Sequence, residues 1–345
     1  MKTLPPALAT HVAGGLTTLC RCWRVDRRDG VVMGFTDFDR DLVFDAVTYK
    51  AASGFTATAI EGQLGLAVSN LDVQGALSSD ALVLRKTRTS SAAAKFLSSK
   101  QPFVSERDLA PYIDLAGQTC AKKQAECYAS KDRKNRRRHR KRLGEIGEVG
   151  FAWLAPSPQA GQLAHDAVLM KRDWLKQRGR ISKAFTDRRI ESFLASALSG
   201  DCAGLDGRVG VITVSGRPAS LLVGFLNKGY YAGFLTAYDA AYERHGPGSL
   251  LFEDAIAAAI GERMSRIDLL APADAYKADW ASGEVAIEDL CIPVTMAGRI
   301  YTRVIQARLR QGIKTSIESL PPKARRAVLF LAAAVPALLY RASDI

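Results

Sequence analysis

The chain has 345 residues, 48% of them apolar and 24% charged, so it can bury a sizeable core and reads as a globular protein. Lys and Arg outnumber Asp and Glu by 48 to 35, a net charge of +13, yet residues 131–142 (KDRKNRRRHRKR) carry +8 of it. The basicity is therefore local, which argues against a chain built throughout to bind a polyanion.

Six cysteines, Cys20, Cys22, Cys120, Cys127, Cys202 and Cys291, are scattered with no CxxC pair. That argues against a disulfide framework and for a reducing, cytoplasmic compartment. Cys20-x-Cys22 finds no second pair to complete a metal site. The run DFDRD (37–41) opens like a calcium loop, but Leu42 stands where such a loop needs Gly and Thr48 where it needs Glu. A polar strand edge or turn is expected there, and no metal. The start, MKTLPPALATHVAGG, does not read as a secretory signal, because a Pro pair and a histidine interrupt its apolar run.

In chain order, TTLCRCWRV alternates as a β-strand and Asp29-Gly30 signals a turn. VVMGFTDFDRDLVFDAVTYKAA continues β-rich. The segments GFTDFDRDL, YKAASGFTATA and NLDVQGALSSD, in that order, resemble the N-terminal domain of phage and gene-transfer-agent tail-hub proteins. The resemblance covers residues 1–81 and implies a β-rich assembly module with a tail-assembly partner and no catalysis of its own.

Residues 82–118 change character: ALVLRKTRTSSAAAKFL holds one short apolar run, and APYIDLAGQ a brief strand. From Thr119 to Gly144 the sequence reads as one helix with a glycine stop, carrying the basic run. EVGFAWLA is a strand. AGQLAHDAVLMKRDWLKQRG is an amphipathic helix with Leu163, Ala167, Met170 and Trp174 on its core face. DRRIESFLASALSG is another helix. GRVGVITVSG, RPASLLVGFLN and GYYAGFLTAYD form an antiparallel meander turned at Ser215-Gly216 and at Asn227-Lys228-Gly229. In the last of these strands, Tyr231, Gly233 and Leu235 should face one way, and Tyr230, Ala232 and Phe234 the other. Then come a helix (GSLLFEDAIAAAIGERM), a strand (RIDLLAP), a short helix (ADAYKADWAS) and a strand (EVAIEDLCIPV). This is a mixed α/β plan. Near the end, AVLFLAAAVPALLY is apolar but shorter than the ~20 residues a membrane span needs. It reads as a packed terminal helix, with a peripheral membrane or dimer contact through 326–340 as the alternative.

Four pieces in order, RKNRRRHRKRLGEIGEVGF, LMKRDWLKQRGRISKAF, GYYAGFLTAYDAAYERHGPGSLL and DLLAPADAYKADW, resemble the CelD/BcsL-like acetyltransferases of the GNAT superfamily, which are related to the FemAB peptidyltransferases. The resemblance covers about residues 83–325. It implies an α/β (α+β) GNAT-like lobe with a mixed sheet, preceded by the small β-rich domain. It divides the chain into 1–81 (hub-like), 82–118 (remnant of a first acyltransferase lobe), 119–310 (GNAT-like) and 311–345 (C-terminal helices). Relatives carry two such lobes. Here the first is nearly absent, so a groove between lobes would be incomplete, or rebuilt by a dimer.

The implied reaction moves an acyl group, acetyl being the simplest, from acyl-CoA to an amine or hydroxyl on a small molecule, polysaccharide or peptide. Gly246, Pro247, Gly248, Ser249 and Leu250 stand where a helix begins, and its free N–H groups and positive dipole end suit the coenzyme pyrophosphate. The sequence departs from the usual signature: Glu243 stands where the family has Arg or Gln, and Arg244 comes one place late. The resemblance puts Lys277 near the reacting acyl group, where a fixed cation stabilises a developing oxyanion, and Tyr276 where it can donate to the leaving thiolate. Of four histidines, His245 lies beside the loop as a candidate base, while His165 reads as structural. Tyr231 and Trp280 are candidates for lining the acceptor groove, and Arg136, Arg137 and Arg140 for steering an anion. No specific nucleic acid is expected, since no stacking aromatics accompany the basic run. The alternative is a hub-related assembly protein with an inactive acyltransferase-like passenger.

Overall fold

The computed structural model describes residues 81–90, 101–180, 189–200, 206–227, 229–293 and 296–303, a few single residues, and the backbone pairing of short strands between 24 and 61. Those strands are β1 (Arg24–Asp26), β2 (Val31–Met33), β3 (Asp37–Phe38), β4 (Asp41–Leu42), β5 (Asp45–Lys50) and β6 (Thr56–Glu61). The calcium-like run forms the β3–β4 hairpin, with Asp37 opposite Leu42 and Phe38 opposite Asp41. The remainder of the hub-like stretch, with Cys20, Cys22 and His11, lies outside the described residues, as does the apolar segment 326–340.

β7 (Ala81–Arg88) and β8 (Phe103–Asp114) follow, then α1 (Ala121–Glu126), α2 (Ser130–Gly144), β9 (Val149–Leu154), α3 (Pro158–Gln177) and α4 (Arg189–Leu198). The meander is β10 (Gly207–Val214), β11 (Arg217–Asn227) and β12 (Tyr230–Tyr238). A 3₁₀ turn (Ala240–His245), α5 (Pro247–Gly261), β13 (Arg266–Asp268), α6 (Ala275–Ala278), β14 (Gly283–Pro293) and α7 (Met296–Tyr301) complete the series.

One mixed sheet runs in the order β1-β2-β5-β6-β7-β14-β8-β13-β12-β11-β10-β9. Its pairs are antiparallel except β6/β7 and β12/β13. The stretch expected as a remnant thus supplies two strands of this sheet, β14 pairing with β7 on one side and β8 on the other. The length of β8 escapes a reading by apolar runs because Glu106, Arg107 and Asp108 sit on the part of the strand that stays partly in water.

Two apolar clusters cover the two faces of the sheet from β13 to β9. On one, Ala160, Leu163, Ala164, Ala167 and Val168 of α3 pack with α4 over Val209, Val211, Leu221, Val223 and Leu235. On the other, Leu250, Leu251, Ala255, Ile256 and Ala259 of α5 pack over Ile212, Leu222, Tyr231 and Ile267. α3 starts where Ser157 Oγ accepts from the Ala160 N–H at 3.1 Å, with Pro158 next, the usual pairing of cap and first helical residue. The β10–β11 hairpin turns on Ser215 (φ +48°) and Gly216 (φ +77°), both in the left-handed region that a two-residue turn of this kind demands.

Two local readings differ from expectation. The helix expected over 119–144 is broken: Ala129 is extended (ψ 141°), and Tyr128 packs edge-on against Trp280 with ring centroids 5.0 Å apart. In β12 a bulge at Phe234 shifts the register with β11, so Val223 faces Leu235 but Gly224 faces Gly233. The extra residue flips the alternation. Tyr231 therefore packs on the α5 face while Leu235 packs on the α3 face.

Candidate active site

β12 and β13 run parallel for three residue pairs only, ending at Ala232 opposite Asp268. Beyond that point the chain after β13 stays with β8, the Leu269 N–H donating to Pro111 O at 2.9 Å. β12 continues alone on that side to Tyr238, so the sheet opens like a wedge. A cavity of about 720 Å³ fills the opening. Thr236, Ala237 and Tyr238 form its floor, the N-terminus of α5 one end, Tyr276, Trp280 and Phe252 one wall, and Lys171, Trp174 and Arg180 the other.

The α5 end is built by Gly246, whose φ of +58° and ψ of +43° close the 3₁₀ turn and open the helix. A Cβ there would lie 3.0 Å from His139 Nδ1, so glycine is required on two counts. Pro247 has no N–H, and the Ser249 and Leu250 N–H groups donate to Gly246 O at 3.1 and 3.4 Å. The Gly248 N–H has no acceptor among the described residues. The Ser249 hydroxyl donates to Gly246 O at 2.8 Å, so the terminus offers one open N–H and the helix dipole, fewer open donors than the sequence pattern implied.

Glu243 occupies the place of the expected cation, but its charge is answered. Arg178, at the C-terminal cap of α3, pairs with it, and Tyr238 Oη donates to it at 3.2 Å. Trp174 Nε1 donates to Tyr238 Oη at 2.7 Å, which fixes the indole along the cavity wall. Three cations flank that ring: Arg178, Lys171 and Arg180, at 4.4, 4.6 and 5.7 Å from its centroid. Lys171 Nζ donates to Thr236 O at 3.4 Å, and burial followed by Arg180 and Arg178 pushes its pKa down against the pull of Asp274. Tyr276 is half exposed; loss of hydration and then Asp274 raise its phenol to about 12, so it remains a hydrogen-bond donor.

The predicted residues separate into groups. Gly246, Pro247, Gly248, Ser249, Tyr276 and Trp280 line the cavity, whereas Leu250 is fully buried beneath the sheet. Lys277 does not line it. Its ammonium is buried and donates to Leu270 O at 2.8 Å and Pro272 O at 3.0 Å, where desolvation lowers its pKa to about 8. Tyr231 is 0% exposed under Trp153, its hydroxyl donating to Arg208 O at 3.2 Å. His245 lies off the cavity, and its Nδ1, like that of His139, is buried without a hydrogen-bond partner among the described residues. Burial, then Arg142, holds the His139 imidazole below its ordinary pKa.

The basic run is divided as well. Arg136 is buried, pairs with Glu253 at 2.9 Å and stacks over Trp280 at 4.7 Å. Arg140 pairs with Asp254 at 2.7 Å, while Arg137 is exposed. Arg136 and Arg140 face a smaller hollow of about 320 Å³ behind Trp280. Sequence reading missed Lys171, Arg180, Tyr238 and the role of Trp174, which had the spacing of a core position.

The wedge between parallel strands, the helix terminus beside it and the mixed sheet with helices on both faces make up a GNAT-like fold. Residues 130–278 match the family model of the acetyltransferase (GNAT) domain, and residues 5–95 match that of the baseplate hub protein, N-terminal attachment domain. No curated protein matches the chain in sequence. Among solved structures, FemX superposes with a TM-score of 0.51 at 8% identity, over 82% of this chain and 90% of that one, a likeness of fold. The C-terminal domain of a putative lysylphosphatidylglycerol synthetase from Agrobacterium fabrum gives 0.49 at 11% identity, over 80% and 88%.

Proposed function

We propose that the cavity binds an acyl-CoA, acetyl-CoA in the simplest case, and that an amine or hydroxyl acceptor attacks the thioester directly. The observation that carries this reading is the parting of β12 from β13 beside the start of α5. An unpaired strand edge presents N–H and C=O groups in a row, the complement of a ligand that carries amides of its own. The open Gly248 N–H and Arg180 suit the pyrophosphate end. Tyr276, which keeps its proton, supports the departing thiolate as a hydrogen-bond donor. Lys277 acts as a positioning residue: it ties the backbone of Leu270 and Pro272, which carries Tyr276 to the wall. The acceptor, a small molecule, polysaccharide or peptide, enters from the Trp280 side.

The hub-like match favours an additional reading, in which the N-terminal segment attaches this domain to a phage-tail type assembly. The acyl-CoA reading is tested by calorimetric titration of the full chain with coenzyme A and acetyl-CoA. A Cβ at Gly248 meets nothing within 4 Å, so Gly248→Trp projects into the cavity without disturbing the core. Saturable binding that is lost in Gly248→Trp is expected; no heat at millimolar ligand overturns the reading.

A further inference from the structure

Lys171 is an amine placed inside the cavity to which the thioester is assigned. Its Nζ meets Thr236 O, on the part of β12 that has left β13, at a long 3.4 Å. Lys277 offers the contrast: its Nζ is held by two carbonyls at 2.8 and 3.0 Å and does not line the cavity. Among the described residues Lys171 has one long hydrogen bond and the face of the Trp174 ring 4.6 Å away, with the guanidinium groups of Arg178 and Arg180 on that same ring. Loss of hydration, against the pull of the Asp274 carboxylate and with the help of Arg180 and Arg178, lowers the Lys171 pKa and so raises the share of neutral, nucleophilic amine at mildly alkaline pH.

Resting on the acyl-CoA reading of this cavity, we infer that Lys171 is a self-acylation site. The neutral Nζ attacks the thioester carbonyl, the C–N bond forms as the C–S bond breaks, and coenzyme A departs as thiolate. The proton released from nitrogen passes to water or to the thiolate. The product is an amide, which is a poor acyl donor, so the step yields a stable mark and not a transfer intermediate. It removes a cation from the donor cavity and adds an acyl group beside Thr236. Acylation therefore weakens binding of the next donor, and the domain carries a brake set by its own substrate.

The full chain is incubated with acetyl-CoA at mildly alkaline pH and followed by intact mass and peptide mapping, with acetyl phosphate as a donor that lacks the coenzyme. The expected result is one added acetyl on Lys171 ahead of every other lysine, suppressed by excess coenzyme A, absent in Lys171→Arg and slow with acetyl phosphate. If coenzyme A binds by calorimetry and Lys171 stays unmodified, or reacts no faster than exposed lysines, self-acylation is wrong and the acyl-CoA reading stands. Equal labelling by acetyl phosphate also overturns it, since the amine would then be reactive without the site. If coenzyme A neither binds nor protects, both readings fall together.

Discussion

Replacing Lys277 by Met keeps the methylene stem and removes the ammonium that donates to Leu270 O and Pro272 O. Desolvation is the main force on that ammonium. It lowers the pKa from 10.5 to about 8 despite the favourable carboxylates of Asp274 and Asp268, and Lys171 adds to the lowering. Because the folded pKa is the lower one, the unfolded chain binds the extra proton between about pH 8 and 10.5, and native stability rises with pH through that window. At about 1.4 kcal/mol per unit, the gain between pH 7 and pH 10 is about 2–3 kcal/mol. Deprotonation does not cost the two hydrogen bonds, since a neutral amine retains two hydrogens for two carbonyls. In Lys277→Met those carbonyls lose their donor, at about 1–3 kcal/mol each, set against a desolvation cost of similar size that also disappears. The variant should therefore lie close to wild type in urea unfolding at pH 7 and fall behind it by about 2–3 kcal/mol at pH 10. A difference that stays flat from pH 7 to pH 10 would refute the reasoning, because it would mean that Lys277 remains charged and solvated in the fold.

Gly246→Ala puts a methyl-bearing residue at φ +58° and within 3.0 Å of His139. The left-handed backbone alone costs about 1–2 kcal/mol. Thermal melts of Gly246→Ala with and without His139→Ala separate that part from the crowding, which the second substitution should relieve. Arg136→Gln removes one partner of a pair whose other member, Glu253, is 33% exposed, so the loss in urea unfolding should be about 2–3 kcal/mol, below the range for fully buried pairs. Exposed Arg137→Gln should stay within about 0.5 kcal/mol of wild type. If Arg137 steers an anion, its effect appears only as a KM that depends on salt.

Much of the fold was legible in sequence where local physics decides it. The Ser215-Gly216 pair announces the hairpin, and the spacing of Leu163 and Ala167 marks the buried face of α3. What was not legible depends on single insertions and distant partners. The bulge at Phe234 reverses which face Tyr231 and Leu235 share, and alternation counted residue by residue cannot anticipate it. The helix break at Cys127–Ala129 accompanies the seating of Tyr128 on Trp280, more than a hundred residues away in the chain.

The site divides in the same way. Sequence alone determined that a glycine-rich turn opens a helix after the last meander strand, and that Tyr276 follows on a short helix, because turn and helix signals are local. That short helix ends at Ala278, before Trp280. Only the tertiary structure decided which atoms share a space. It buried Lys277 on two carbonyls, sent Tyr231 into the core, drew Arg136 and Arg140 of the basic run onto α5, and brought Lys171 and Trp174 from α3 to the open edge of β12. The physical reason is that a side chain's role depends on desolvation and on partners from other elements, and neither exists until the sheet has opened between β12 and β13.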